Sequence, residues 1–377
     1  MGQYALTKAA MVTPFNLIED AVVIVDGDKI LAAGPAITTA IPSGFREVPL
    51  EGLLIAPGFI DQHLHGGGGH DVMTGTAECL AEIAKFHATH GTTAFLATTV
   101  SASPEHLIKI AGAYASLNNT PYKGARCLGL HLEGPYLSSK YAGATDTGLL
   151  RNPSFGEIQS LQRISNSGIR LVTMAPELDG AIAVAQSLTK SGIACAIGHS
   201  DADYELTVKA INTGFGSVTH CFNQLHPLDH QEPGAMGAAL TRPELVVELI
   251  ADGIHIHRSI LDLVWRLKGA DGIILVSDAM MPVGMPQSAL PVNGGKPAGS
   301  SLTLESAIRK MMESTDCGLT DVFRMVTYNP ARLLGINKHK GSLYPGKDAD
   351  LVVLTTDLEV VMTMVEGEVI SGLIRLD

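Results

Sequence analysis

His63, His65, Glu133, His199, His220, His255 and Asp278 are side chains able to hold a metal ion or move protons, and each follows an apolar run that reads as a strand. His63 and His65 lie in APGFIDQHLHGGGGH, residues 56–70. Alternate residues of a strand point to the same side, so the two imidazoles face one space, roughly 7 Å apart along the backbone. Gly66 to Gly69 cannot continue a well-packed strand, and their freedom at positive φ suits a loop that passes close to a ligand. A lone buried histidine is more often structural than a ligand. Here several unrelated strands finish alike: Glu133 in HLEGP, His199 in GHS, His220 in TH with Asn223 behind it, His255 in DGIH and Asp278 in SDA. Neutral imidazoles with one carboxylate suit a borderline divalent ion, zinc foremost, with iron, cobalt and manganese as alternatives. Glu133, His199 and His220 make a three-ligand set with positions left open for water, a catalytic arrangement. Such an ion brings the pKa of its water towards about 7 and polarises a carbonyl oxygen, the two requirements of amide hydrolysis near neutral pH. Asp278 can then take a proton from the water and hand it to the leaving amine.

Convergence of such distant residues needs a fold that gathers strand ends. Eight apolar runs, at 53–61, 93–99, 127–132, 169–175, 193–198, 217–221, 245–251 and 273–276, alternate with segments of helical spacing. Ser103 before Pro104 is one clear helix start. Eight such units in sequence predict an α/β protein with a (β/α)8 TIM-like barrel, whose active site collects at the carboxyl ends of the strands. Residues 305–312 and 319–334 read as further helices, and 282–299 as a loop over the last strand. Both chain ends carry short alternating runs: 21–25 and 29–33 about an Asp26-Gly27 turn, then 350–354, 359–364 and 369–374. They predict a small β-sandwich domain of residues 1–52 plus 340–377, beside a barrel domain of 53–339.

A formal charge of −12 excludes nucleic acid and anionic membrane surfaces as main partners, so an anionic substrate must meet a local positive site. No stretch approaches eighteen uninterrupted apolar residues, and MGQYALTKAAMVTPF has no secretory pattern. Cys79, Cys127, Cys195, Cys221 and Cys317 are odd in number and widely spread, the usage of reduced buried thiols in a cytoplasmic protein.

The PGFIDQHLH strand end, the single histidines of strands five and six, the aspartate of strand eight and the late GSLYPGKDADLVVL segment resemble the amidohydrolase superfamily. HLEGPYL, GHSDA, THCFNQL, EPGAMG, ADGIH, SDAM and AGSSLT, in that order, are similar to the N-acetylglucosamine-6-phosphate deacetylase family. That resemblance spans essentially the whole chain. It implies removal of acetate from a phosphorylated N-acetyl amino sugar, in amino-sugar recycling, by a homodimer. It further implies Glu133, His199 and His220 as ligands of the principal ion, and Asp278 as general base and then acid. His255 would orient substrate or stabilise the oxyanion, and Asn223 and the backbone at Gln224 would hold the sugar phosphate. Some members keep both first-strand histidines, so His63 and His65 permit a second ion, one or two per subunit. Three departures stand out. Gln231 replaces an Arg usual before the EPG turn, removing a charged phosphate contact; Thr145 stands where His or Gln is frequent; and 287–299 lacks most of a β-hairpin. These leave N-acetylgalactosamine 6-phosphate or an unphosphorylated N-acyl amino sugar as alternative substrates, and a non-catalytic barrel as an alternative from another class. His226 and His230 read as solvated loop residues, with replacement of the missing charge as the other reading. His70, His87, His90, His106, His257 and His339 read as surface or supporting residues.

Overall fold

The computed structural model describes residues 2–285, 292–293 and 296–372. Eight parallel strands pair in sequence order: β1 (Phe59–Leu64), β2 (Thr92–Thr99), β3 (Arg126–Glu133), β4 (Ile169–Met174), β5 (Ala194–Ile197), β6 (Phe215–Val218), β7 (Val246–Leu249) and β8 (Ile273–Leu275). Every residue of β1 and β2 is buried, polar ones included, so neither strand shows the alternation of a half-exposed sheet. The cylinder closes where the Asp278 N–H donates to the His63 carbonyl at 2.9 Å and the His65 N–H donates to the Ala279 carbonyl at 2.8 Å. That seam places the two histidines and the aspartate side by side at the carboxyl ends of the first and last strands.

Helices wrap the outside. α1 (Ala77–Ala88) starts at Thr76, whose hydroxyl accepts the Cys79 N–H, and α2 (Pro104–Asn118) starts at Ser103, whose hydroxyl accepts the His106 N–H. The helix expected over 319–334 is two, Leu319–Val326 and Tyr328–Leu333. They break at Thr327 (φ −131°), because Pro330 has no N–H with which to continue the ladder back to Val326. One helix escaped notice, Gly234–Thr241, since its run of Gly and Ala shows no amphipathic period.

The chain ends form a separate eight-stranded sheet. Strand Gln3–Val12 bends through Lys8 (φ 57°), pairing Arg46–Pro49 along its first half and Leu54–Pro57 along its second. The two halves of this continuous sheet enclose one apolar core that includes Leu6, Met11, Val23, Ile55, Val353 and Met364. The strand expected over 53–61 is in fact two. Leu54–Pro57 lies in this sheet, between Gln3–Val12 and Leu351–Leu354, and only Phe59–Leu64 enters the barrel. The barrel therefore begins at Phe59, past the expected 52/53 boundary; Gly58 between the two strands sits so close to β2 that a Cβ there would lie 2.2 Å from the Thr93 side chain.

Of the 287–299 segment, the described part contains a two-residue ladder, Val292–Asn293 with Lys296–Pro297. Residues 287–291 and 294–295 of the expected shortened hairpin, like residues 373–374 of the last expected strand, lie outside the described residues. Cys79, Cys127, Cys195, Cys221 and Cys317 are all buried and unpaired with one another. No helix among the described residues is long and apolar enough to cross a membrane.

Candidate metal centre

Glu133, the last residue of β3, stands at the centre of the barrel mouth with a histidine pair on each side. Its Oε1 lies 2.8 Å from His220 Nε2 and 3.2 Å from His199 Nε2. Its Oε2 lies 3.2 Å from His65 Nε2 and 3.6 Å from His63 Nε2. Asp278 closes the ring, with Oδ1 at 3.3 Å from His65 Nε2 and 3.6 Å from His63 Nε2. All six side chains are buried. His199, His220 and Asp278 adopt left-handed backbone at φ 48°, 28° and 49°. Each such residue costs on the order of 1–3 kcal/mol, strain of the kind found where a side chain must be aimed at a site.

The donor chemistry of this cluster calls for a cation. His63 Nδ1 faces the Glu248 carboxylate at 3.0 Å, His65 Nδ1 faces the Thr98 carbonyl at 3.2 Å and His199 Nδ1 faces the Tyr141 carbonyl at 2.8 Å. Acceptors on that side keep the ring proton on Nδ1 and leave a lone pair on each Nε2. Those lone pairs meet one another, His63 to His65 at 3.3 Å, and meet the carboxylates, while His199 Nε2 also lies 3.1 Å from Nε2 of His220, whose Nδ1 has no hydrogen-bond partner among the described residues. Such a gathering of acceptors is repulsive unless a positive charge sits among them. The two triads, His63–His65–Glu133 and Glu133–His199–His220, each bring one ligand atom per residue within 4.8 Å of the others.

The same demand appears in proton affinities. Burial opposes charging His65, but Asp278 and Glu133 outweigh it and push its pKa up to about 9; His63, with Glu248 added, is likewise raised. Burial also resists ionisation of Glu133, yet the surrounding imidazoles hold it well below the usual carboxylate range, and Asp278 is lowered in the same way. Asp61 beneath them goes the other way: burial pushes it up to about 7 although its Oδ1 accepts the N–H groups of His63 and Ser277.

The remaining predicted residues surround this centre without joining it. His255 belongs to a half-buried pair, with Nδ1 2.7 Å from Asp252 Oδ2 in the segment after β7. Asn223 keeps a buried Nδ2 with no hydrogen-bond partner among the described residues. Gln224 (φ 53°) packs against Gly143, where a Cβ would come within 3.1 Å of its amide, so the segment holding Thr145 reaches over the same rim. Thr145 is half-buried and Gln231 is exposed. His230 is a solvated loop residue, its side chain 84% exposed. His226 is not, because Asp201 holds its Nδ1 at 2.9 Å. The glycines after His65 make their close approach to protein: Gly68 and Gly69 donate to the carbonyls of Val283 and Met281, and a Cβ on Gly67 would lie 2.7 Å from His87 Nε2. They seal the barrel seam against α1.

Sequence reasoning missed Glu248, Gln62 and Asp252. The available signal for Glu248 was a single acid inside the apolar run 245–251, since a charge in a buried strand is kept only with a partner.

Comparison with known proteins identifies the family. The amidohydrolase family pattern matches residues 54–370. An N-acetylglucosamine-6-phosphate deacetylase of Lysinibacillus sphaericus is 36% identical over 340 residues, 86% of this chain and 88% of the relative. The chain belongs to the N-acetylglucosamine-6-phosphate deacetylase family of the amidohydrolases. An N-acetylgalactosamine-6-phosphate deacetylase of Escherichia coli O157:H7 is also similar, 34% identical over 332 residues, covering 84% of this chain and 88% of that one. The family's structure from Mycobacterium smegmatis, a variant of its N-acetyl-D-glucosamine-6-phosphate deacetylase in complex with N-acetyl-D-glucosamine-6-phosphate, superposes with a TM-score of 0.88 at 31% identity. It covers 98% of this chain and 100% of that chain. The amidohydrolase family is metal-dependent, in keeping with the two triads about Glu133.

Proposed function

We propose that the protein removes the acetyl group of N-acetyl-D-glucosamine 6-phosphate, releasing acetate and D-glucosamine 6-phosphate. The observation that carries this reading is the buried Glu133 with its four histidines and Asp278 on the mouth of a barrel of this family. Glu133, His199 and His220 would hold the principal divalent ion, and His63 and His65 would, with Glu133, offer donors for a second; zinc suits the donors best, with iron, cobalt or manganese as alternatives. A bound ion there supplies an acidified water and a polarised acetamido carbonyl. Asp278, kept ionised by the neighbouring imidazoles, accepts the proton from the water and delivers it to the sugar nitrogen. His255, oriented by Asp252, contacts the substrate. The orphaned Asn223 amide and the strained Gln224 backbone face the sugar phosphate, with Thr145 and Gln231 at its periphery. The reading also places the enzyme in the cytoplasm as a homodimer with two domains, supported by its buried thiols, its family and its separate sheet.

Acetate release from N-acetyl-D-glucosamine 6-phosphate tests the reading: it should vanish on chelation and return with added divalent metal. Activity that survives exhaustive chelation overturns it. The Escherichia coli relative and Gln231 together favour a second reading, N-acetylgalactosamine 6-phosphate as substrate. A larger kcat/KM for that sugar phosphate than for the glucosamine one would decide for it, and a preference for unphosphorylated sugar would exclude both.

A further inference from the structure

Glu248 is a buried acid that the proposed chemistry does not use. It lies on β7 with a fully buried side chain, and among the described residues its one ion pair is with His63. Three donors converge on it. Oε2 accepts His63 Nδ1–H at 3.0 Å and the His220 backbone N–H at 3.2 Å, and Oε1 accepts the Gln62 side-chain amide at 2.6 Å. His63 and His220 belong to different triads, so a single carboxylate is fastened to both halves of the centre. The His220 tether also bears on a residue held at φ 28°, a conformation that needs support from its surroundings.

A structural prop alone would not require a charge. An acid without Lys or Arg beside it carries a desolvation cost of several kcal/mol, which a neutral residue of the same shape avoids. The charge becomes useful only through the imidazole: a carboxylate on Nδ1–H fixes the tautomer and makes Nε2 a better donor to a cation on the far side. We propose that Glu248 is the positioning residue of the metal centre, holding His63 for one ion and the His220 backbone for the other. This rests on the two-ion reading above.

The neighbouring Gln62 makes the proposal separable from a packing role. Its Oε1 is buried and has no hydrogen-bond partner among the described residues. In Glu248→Gln the Gln62 amide can turn to offer that oxygen to the new NH2, while the other oxygen of residue 248 keeps His63 and His220. The variant removes the charge and retains the tethers. Glu248→Ala removes both.

The test is a titration of the metal-free, full-length wild type and both variants with Co²⁺, followed by visible absorption, with the unfolding midpoints of the metal-free proteins measured alongside. Wild type should take up two equivalents. The weaker equivalent should lose about tenfold in affinity in Glu248→Gln at an unchanged unfolding midpoint, and up to about a hundredfold in Glu248→Ala. If Glu248→Ala does not fold, Glu248→Gln decides alone. Uptake by Glu248→Gln equal to wild type overturns the proposal, whatever Glu248→Ala does. Wild type binding one equivalent overturns it together with the second ion but leaves the deacetylase reading standing, and wild type binding none removes both.

Discussion

Asp278 illustrates what one side chain is asked to do in this site. Its carboxylate is 3.3 Å from His65, buried, and lowered in pKa by the imidazoles, so it is a base at neutral pH without being a free anion in solvent. Asp278→Asn keeps the shape and removes the proton acceptor. Turnover should fall by about 10²- to 10⁴-fold with bound metal retained, measured as acetate release beside metal content. That these candidate ligands and Asp278 would gather in one place was legible in the sequence because each ends an apolar run, and strand ends are where a barrel does its chemistry. Glu248 and Asp252 were not, since a supporting residue is defined by the partner it touches, and those partners are distant in sequence or on a turn whose shape the sequence does not show.

The helix α1 and the glycine loop form the element with the most distinctive electrostatics outside the site. His87 is buried on α1 with its Nε2–H donating to the Gly66 carbonyl at 2.9 Å, and burial pushes its pKa down to about 4. The unfolded chain binds that proton near pH 6.5 and the folded chain only near pH 4. Stability from this residue is thus complete above pH 6.5 and is lost as pH falls towards 4. His87→Gln, which can keep the bond to Gly66 without titrating, should lose about 2 kcal/mol less than wild type between pH 7 and pH 5 in urea unfolding. The alternation of strands and helices was readable from periodicity, but the burial of His87 was not. Its ring faces a loop of glycines, which offers no apolar pattern to announce a core.

At the scale of the molecule, charge ties the two chain ends to each other and, through Arg126, ties their sheet to the barrel. Buried Lys340 lies 2.5 Å from Asp350 and 2.9 Å from Asp348, Lys29 reaches Asp348 at 2.6 Å, and Arg126 at the start of β3 reaches Glu366 at 2.7 Å. Burial resists ionisation of Asp350 and raises its pKa, whereas Lys340 stays charged, raised by the same two carboxylates against the cost of burial. Lys340→Met should destabilise by about 3–5 kcal/mol at pH 7, because it strands Asp350 without its partner. The loss should shrink as pH falls and that carboxyl takes up a proton, which equilibrium unfolding at pH 7 and pH 4.5 would show. The sequence announced a sheet made from both ends but misplaced its border, since Leu53 to Asp61 is one apolar run and only tertiary pairing shows that it divides between two sheets at Gly58. One practical result concerns engineering. Leu54–Pro57 is held between two neighbours from opposite termini, and a single glycine separates it from the strand that bears His63 and leads into His65. Trimming the protein to a minimal catalytic barrel would strip both neighbours away and bare an edge that invites chains to stack on one another, so any shortened or transplanted version has to bring its two extremities with it.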